Sequence, residues 1–178
     1  DPKKAEVYYR YMDSSKVKMA GFTEADGSYV KGIEDYIQNS QYLTDEHREK
    51  VVEDISANWE TLSRGGKFHA IFATSSIPEA IEYYQLIRAK MPKLKVTCLF
   101  DPNIDNDGGV IFKEDGLREI LDDYNRRYDL GEGQKFSIAS HARFKKDVAM
   151  RLAHKEVYRT VEKTPDKQLD LLIVVDQM

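Results

Sequence analysis

Phe68-His69-Ala70-Ile71-Phe72-Ala73-Thr74-Ser75-Ser76-Ile77-Pro78-Glu79-Ala80 joins an apolar run to a capped helix start. The apolar run 68–74 has the character of a strand buried on both faces. It passes with almost no linker into a helix, because Ser76 and Glu79 form an S-x-x-E capping box and Pro78 falls in the first turn. Ile77, Ile81, Tyr84 and Ile87 then make an inward stripe at helical spacing. A buried strand feeding directly into an amphipathic helix is half of a βαβ unit, and such units build parallel sheets.

The pattern repeats outward from there. Runs 94–100 and 169–175 read as further buried strands, and 136–139 as a weak one. Between them, 115–128 carries Leu117, Ile120, Leu121, Tyr124 and Tyr128, and 141–159 carries Phe144, Val148, Leu152 and Val157, both at helical spacing. Upstream, Asp45–Leu62 places Val51, Ile55, Trp59 and Leu62 on one stripe, with Thr44 as N-cap and Gly65 past the end. The expected class is α/β, a parallel sheet flanked by helices in three layers, over residues 44–178. Residues 1–43 read as a loop-rich extension, with Val7, Tyr9 and Tyr11 alternating like an edge strand and Gly21, Gly27 and Gly32 as punctuation.

Composition narrows the function classes. With 41% hydrophobic and 33% charged residues the chain is neither collagen-like, mucin-like nor disordered. The most hydrophobic segment, 169–175, falls far short of the ~20 residues a bilayer crossing needs, so no membrane partner is expected. The single cysteine, Cys98, excludes an internal disulfide framework and a cysteine zinc cage, which fits a reducing cytoplasm. The chain opens on Asp1-Pro2 and stops at Met178 directly after its most hydrophobic segment, as expected of a piece of a longer polypeptide. The net charge of −4 argues against a nucleic-acid binder as a whole. The window 143–167 runs against that trend: Arg143, Lys145, Lys146, Arg151, Lys155, Arg159, Lys163 and Lys167 outnumber its four acids. Such a strip is either a phosphate-facing surface or a solvated helix with internal ion pairs.

The three hydroxyl residues Thr74, Ser75 and Ser76 close the first strand. At the carboxyl edge of a parallel sheet this gathers free N–H groups, short hydroxyl donors and a helix dipole around one point that can hold a phosphate. The plain alternative is a strand-to-helix turn whose hydroxyls satisfy only the helix end. Ser76 is needed as cap, which leaves Thr74 and Ser75 as donors. No Walker-type, G-x-G-x-x-G or H-E-x-x-H pattern occurs, so the chain carries no phosphate loop of its own for ATP. The loop 101–109, with Asp101, Asp105 and Asp107, has the composition of a solvated loop and lacks the closing glutamate of a calcium loop. His47, His69, His141 and His154 are scattered, with His141 and His154 near the basic helix. Asp176 ends the last strand, where nucleotide-handling sheets often place a functional carboxylate; it reads equally as a strand-end residue solvated at the edge.

These residues resemble a known family. The string 68–77 with Ala80 and Tyr83-Tyr84 looks like helicase motif IV as written in the R (restriction and translocation) subunit of type I restriction enzymes. The closing 170–178, Asp-Leu-Leu-Ile-Val-Val-Asp-Gln-Met, looks like the start of that family's motif V. Val51-Val52-Glu53-Asp54-Ile55 with Trp59, Asp123-Tyr124-Asn125, and Phe144-Lys145-Lys146-Asp147-Val148 with Arg151 match in order and spacing, from about Tyr36 onward. The resemblance implies a second RecA-like lobe of a superfamily 2 DNA translocase, truncated at its carboxyl end. By the same implication Thr74, Ser75 and Ser76 hold a DNA backbone phosphate, Lys145, Lys146 and Arg151 lie near DNA, and Asp176 borders the nucleotide cleft. The parent would need ATP and Mg²⁺, with S-adenosylmethionine serving the companion assembly and no cofactor bound to the fragment alone. Its partners would be double-stranded DNA, the methyltransferase and specificity subunits, and the first RecA-like lobe in the same chain. The fragment itself, lacking the Walker motifs and the transition-state arginine, would neither hydrolyse ATP nor cut DNA. Two rivals stand beside this reading: a non-catalytic doubly wound module that binds a phosphorylated ligand or a protein, and a lobe of another superfamily 2 motor.

Overall fold

The computed structural model describes residues 21–32, 35, 42–103 and 109–176. The edge strand expected around Val7 to Tyr11, the middle of the 101–109 loop and the last two residues lie outside the described residues. The chain divides between Val51 and Val52 into two compact units.

In the first unit, β1 (Phe22–Thr23) pairs antiparallel with β2 (Tyr29–Val30). Gly27, at φ 85°, donates its N–H to Glu24 O, and the Asp26 carboxylate accepts from both the N–H and the hydroxyl of Ser28. The Asp26-Gly27 pair is a recognised hairpin signal, here inside a stretch expected to be loop. Helix α1 (Asp45–Leu62) straddles the division, its residues from Val52 onward belonging to the second unit, and starts on Thr44, whose hydroxyl accepts the His47 N–H at 3.2 Å.

The second unit holds the sheet. Its strands are β3 (Ala70–Thr74), β4 (Val96–Leu99) and β5 (Leu171–Val175), all parallel, in the order β3-β5-β4. Helices α2 (Ile77–Lys90), α3 (Val110–Arg127) and α4 (His141–Leu152) flank it. The α/β class and the helix-flanked parallel sheet are those expected. The chain crosses from β3 to β4 and then returns to insert β5 between them. That reversal makes the carboxyl edge of the sheet the natural ligand edge.

Burial follows strand position. On the central strand β5, Leu171, Leu172 and Ile173 are at most 5% exposed, and Val96 and Cys98 on β4 are at most 2% exposed. Each fully buried aliphatic contributes about 1.5–3 kcal/mol relative to leaving it in water. β3 departs from the expectation of burial on both faces. It is an edge strand covered on one side, where Phe72 meets Tyr83 edge-on at 4.8 Å, while Ile71 on the other side is 64% exposed. The α2 stripe is buried as expected. On α1 the expected stripe is not: Val51, Ile55 and Trp59 are only half-buried, Leu62 is exposed, and Val52 alone is enclosed, because a helical period sets which side chains align and not what covers them.

Three expected elements differ in kind or in extent. Residues 136–139 form no strand: the Asn125 side chain accepts the Phe136 N–H at 2.7 Å and donates to its carbonyl at 2.8 Å, so no backbone group of Phe136 is left for a ladder. The next residues turn as a 3-10 helix, Ile138–Ser140. The Phe136 ring is nonetheless core, 5.7 Å from Phe144. The helix expected over 141–159 stops at Leu152, because His154 takes φ 49° and the Lys155 N–H bonds back to Met150 O at 2.9 Å, the closure typical of a helix end. Val157, placed on the inward stripe, is 81% exposed. In the other direction, α3 starts five residues earlier than expected, with Val110, Ile111 and Phe112 exposed.

Candidate functional site

The carboxyl edge of the sheet gathers the Thr74-Ser75-Ser76 turn and Asp176. β3 and β5 pair in register as far as Thr74 and Val175, and the Asp176 N–H donates to Thr74 O at 2.8 Å. The two segments singled out by sequence are thus neighbours on one edge, and the Asp176 side chain is exposed there.

The three hydroxyls have different surroundings. Thr74 is 5% exposed, and its hydroxyl faces two carbonyls, Val174 O at 3.1 Å and Ser76 O at 3.3 Å. Its one proton goes to one of these two carbonyls. Ser76 is the N-cap, accepting the Glu79 N–H at 3.3 Å. Ser75 is the exposed member, and both its N–H and its hydroxyl donate to one oxygen of Glu79, each at 2.7 Å. A carboxylate of the chain itself therefore sits where the turn and the α2 dipole favour an anion. Of the expected capping box only the Ser76 half forms: the Glu79 carboxylate accepts from Ser75 instead of the Ser76 N–H, so its charge occupies the anion position, and the S-x-x-E spacing is the signal for it.

Lys145 and Lys146 are exposed on the first half of α4. Asp101, just past β4, is held below its ordinary carboxylate range first by the Asn103 N–H and also by the Lys145 ammonium and His141. His141 is pushed below its usual value by burial first and then by Lys145.

Arg151 lies elsewhere. It is 3% exposed, its Nε donates to the Tyr124 hydroxyl at 2.8 Å, and its Nη atoms donate to Lys167 O at 2.6 Å and the Tyr158 hydroxyl at 2.8 Å. Its guanidinium lies 3.6 Å from the centre of the Tyr128 ring. Asp147 accepts from Tyr124, Tyr158 and Arg151. Burial above all keeps the Tyr124 phenol protonated, so it can accept from Arg151 and donate to Asp147 at once. This guanidinium is spent inside the fold and presents no face to a phosphate. Because α4 ends at Leu152, Lys155, Arg159, Lys163 and Lys167 also leave the helical face on which the strip was read.

With this geometry in place, the comparison with known families decides what the edge belongs to. A family model, type I restriction enzyme subunit R domain 3, matches residues 66–178. The chain belongs to the type I restriction enzyme R-subunit domain 3 family. No curated protein matches it. The R-subunit match begins just before β3 and contains the Ser75 turn, Glu79, Lys145 and Asp176, so every residue of the edge is part of the family domain. An R-subunit domain is a part of an enzyme that acts in a restriction system. Among the described residues no group of three histidine, cysteine or acidic side chains could hold a metal ion, and no helix is long and apolar enough to cross a membrane.

Proposed function

We propose that residues 44–178 are the second RecA-like motor lobe of a cytoplasmic, ATP-dependent translocating R subunit, and that its sheet edge grips the DNA backbone. The observation that carries this reading is the convergence of the Ser75 N–H and hydroxyl on a single anionic oxygen, beside Asp176. A backbone phosphate that displaced the Glu79 carboxylate would meet the same two donors and the same helix end. Lys145 and Lys146 add screened attraction to neighbouring phosphates. Asp176 would form one wall of a nucleotide cleft completed by the first lobe. ATP and Mg²⁺ would be held chiefly by that lobe, since the sequence carries no Walker-type phosphate loop and the described residues hold no cluster of three metal-ligating side chains. When bound, they supply the hydrolysis that drives movement; this lobe's residues bind and orient. Alone it would be inactive. The methyltransferase and specificity subunits complete the assembly in this reading.

Two measurements on the complete R subunit test it. Ser75→Ala is expected to raise the DNA needed for half-maximal ATPase about fivefold, the worth of one hydrogen bond of about 1 kcal/mol. Glu79→Gln, which keeps an accepting oxygen for the cap but removes the competing charge, is expected to lower it by a similar factor. ATP affinity stays the same in both. Movement of both variants in the same direction, or a change in ATP affinity with DNA stimulation intact, rejects the phosphate assignment of the turn.

Lys145→Glu with Lys146→Glu is expected to weaken DNA binding and to flatten the slope of log K against log salt by about 1.8, the release expected for two phosphate contacts. An unchanged slope returns this part of α4 to a solvated surface.

A further inference from the structure

At the opposite, amino-terminal end of the sheet, α1 and the α2–β4 connection enclose a cleft of about 460 Å³. Its floor is apolar, made by Trp59, Met91, Pro92 and Leu94, and Lys90 and Lys93 stand on its rim. We propose that this cleft docks an acidic peptide segment of a partner protein, with one or two large apolar side chains on the floor and flanking carboxylates at the lysines. Three observations favour that occupant.

The first is charge. The one acid lining the cleft, Asp170, is already engaged by the Lys95 ammonium at 3.0 Å and the Lys95 N–H at 2.9 Å. Lys90 and Lys93 are exposed, with no carboxylate in ion-pair distance among the described residues. The rim is therefore an unbalanced positive pair on a chain whose net charge is −4. Second, the floor combines a half-buried tryptophan with a methionine, the residue types that anchor side chains at protein interfaces. Leu62, one helical turn on from Trp59, is 62% exposed and prolongs the apolar strip, which suits a peptide lying along α1 better than an enclosed small molecule. Third, the cleft lies at the sheet end away from the Ser75 edge, and Met91, Pro92 and Leu94 line it beside Trp59 as a socket for apolar side chains. The volume is within the ~300–1,000 Å³ range of binding pockets.

Trp59 is the only tryptophan, so its fluorescence reports on this cleft alone. The 178-residue chain is titrated with a helix-forming peptide carrying leucine and phenylalanine four residues apart among glutamates, and with the same peptide carrying lysines in place of glutamates. The acidic peptide is expected to shift Trp59 emission saturably, and the basic one to bind at least about tenfold more weakly. Lys90→Glu with Lys93→Glu is expected to cost about tenfold or more in affinity for the acidic peptide; Lys90→Gln with Lys93→Gln gives a milder loss and guards against a folding defect, with melting curves compared for both. No shift by the acidic peptide up to ~1 mM, equal binding of the two peptides, or binding indifferent to both lysine pairs overturns the proposal. So does a short DNA duplex that shifts Trp59 emission more tightly than the peptide does.

Discussion

Arg151→Ala lowers the stability of the domain by about 3–5 kcal/mol, the cost of removing one partner from a buried charged network. The loss has identifiable parts. Asp147, whose side chain is 17% exposed, keeps two phenol donors but loses its cation, and the Lys167 carbonyl loses its 2.6 Å donor. The Tyr128 and Tyr158 rings lose a cation 3.6 Å and 4.3 Å from their centres. For a domain of this size that is a fall in Tm of roughly 6–20 °C, read by calorimetry. Arg151→Lys restores little, because one ammonium cannot reach Tyr124, Tyr158 and Lys167 O together. The same variants separate structure from recognition. Below their melting temperature the salt slope of DNA binding stays unchanged, whereas loss of a phosphate contact would flatten it by about 0.9. A normal Tm with a flattened slope would show that this side chain turns outward to DNA.

Asn125→Ala has the second largest expected effect, a loss of about 2–4 kcal/mol, because both backbone groups of Phe136 lose their partners in a buried site. The residue is 7% exposed, and Phe136 is 8% exposed, so water does not readily replace the amide. Asn125→Asp keeps the acceptor for the Phe136 N–H and loses the donor to its carbonyl, and falls between wild type and alanine. Denaturant unfolding gives the energies, and hydrogen exchange at the Phe136 amide gives the location. Retained protection of that amide in Asn125→Ala would mean that another acceptor takes over.

Both residues mark the limit of what a linear pattern carries. In sequence, Arg151 is one more cation in a strip of eight, and its spacing from Lys145 and Lys146 treats them alike. What distinguishes it is three tyrosines from α3 and from the turns after α4, brought together only when α4 packs on α3. Phe136 begins a short apolar run that reads as a weak strand. A side chain eleven residues away takes its backbone hydrogen bonds, and no periodicity shows a partner of that kind.

The parallel sheet and the capped helix after its first strand were legible because they depend on local causes: apolar runs of strand length, a capping box and a helical stripe act within a few residues of one another. The Ser75 turn, Glu79 and Asp176 were likewise in plain view as residue types at the ends of strands. The three-dimensional packing decided the rest. It set the strand order β3-β5-β4 that places Asp176 beside Ser75, turned one face of β3 to solvent, and left Lys145 exposed while enclosing Arg151. It also left the Trp59 side of α1 open as a cleft. Each of these depends on contacts between segments far apart in the chain, where burial and hydrogen-bond satisfaction outweigh local preference.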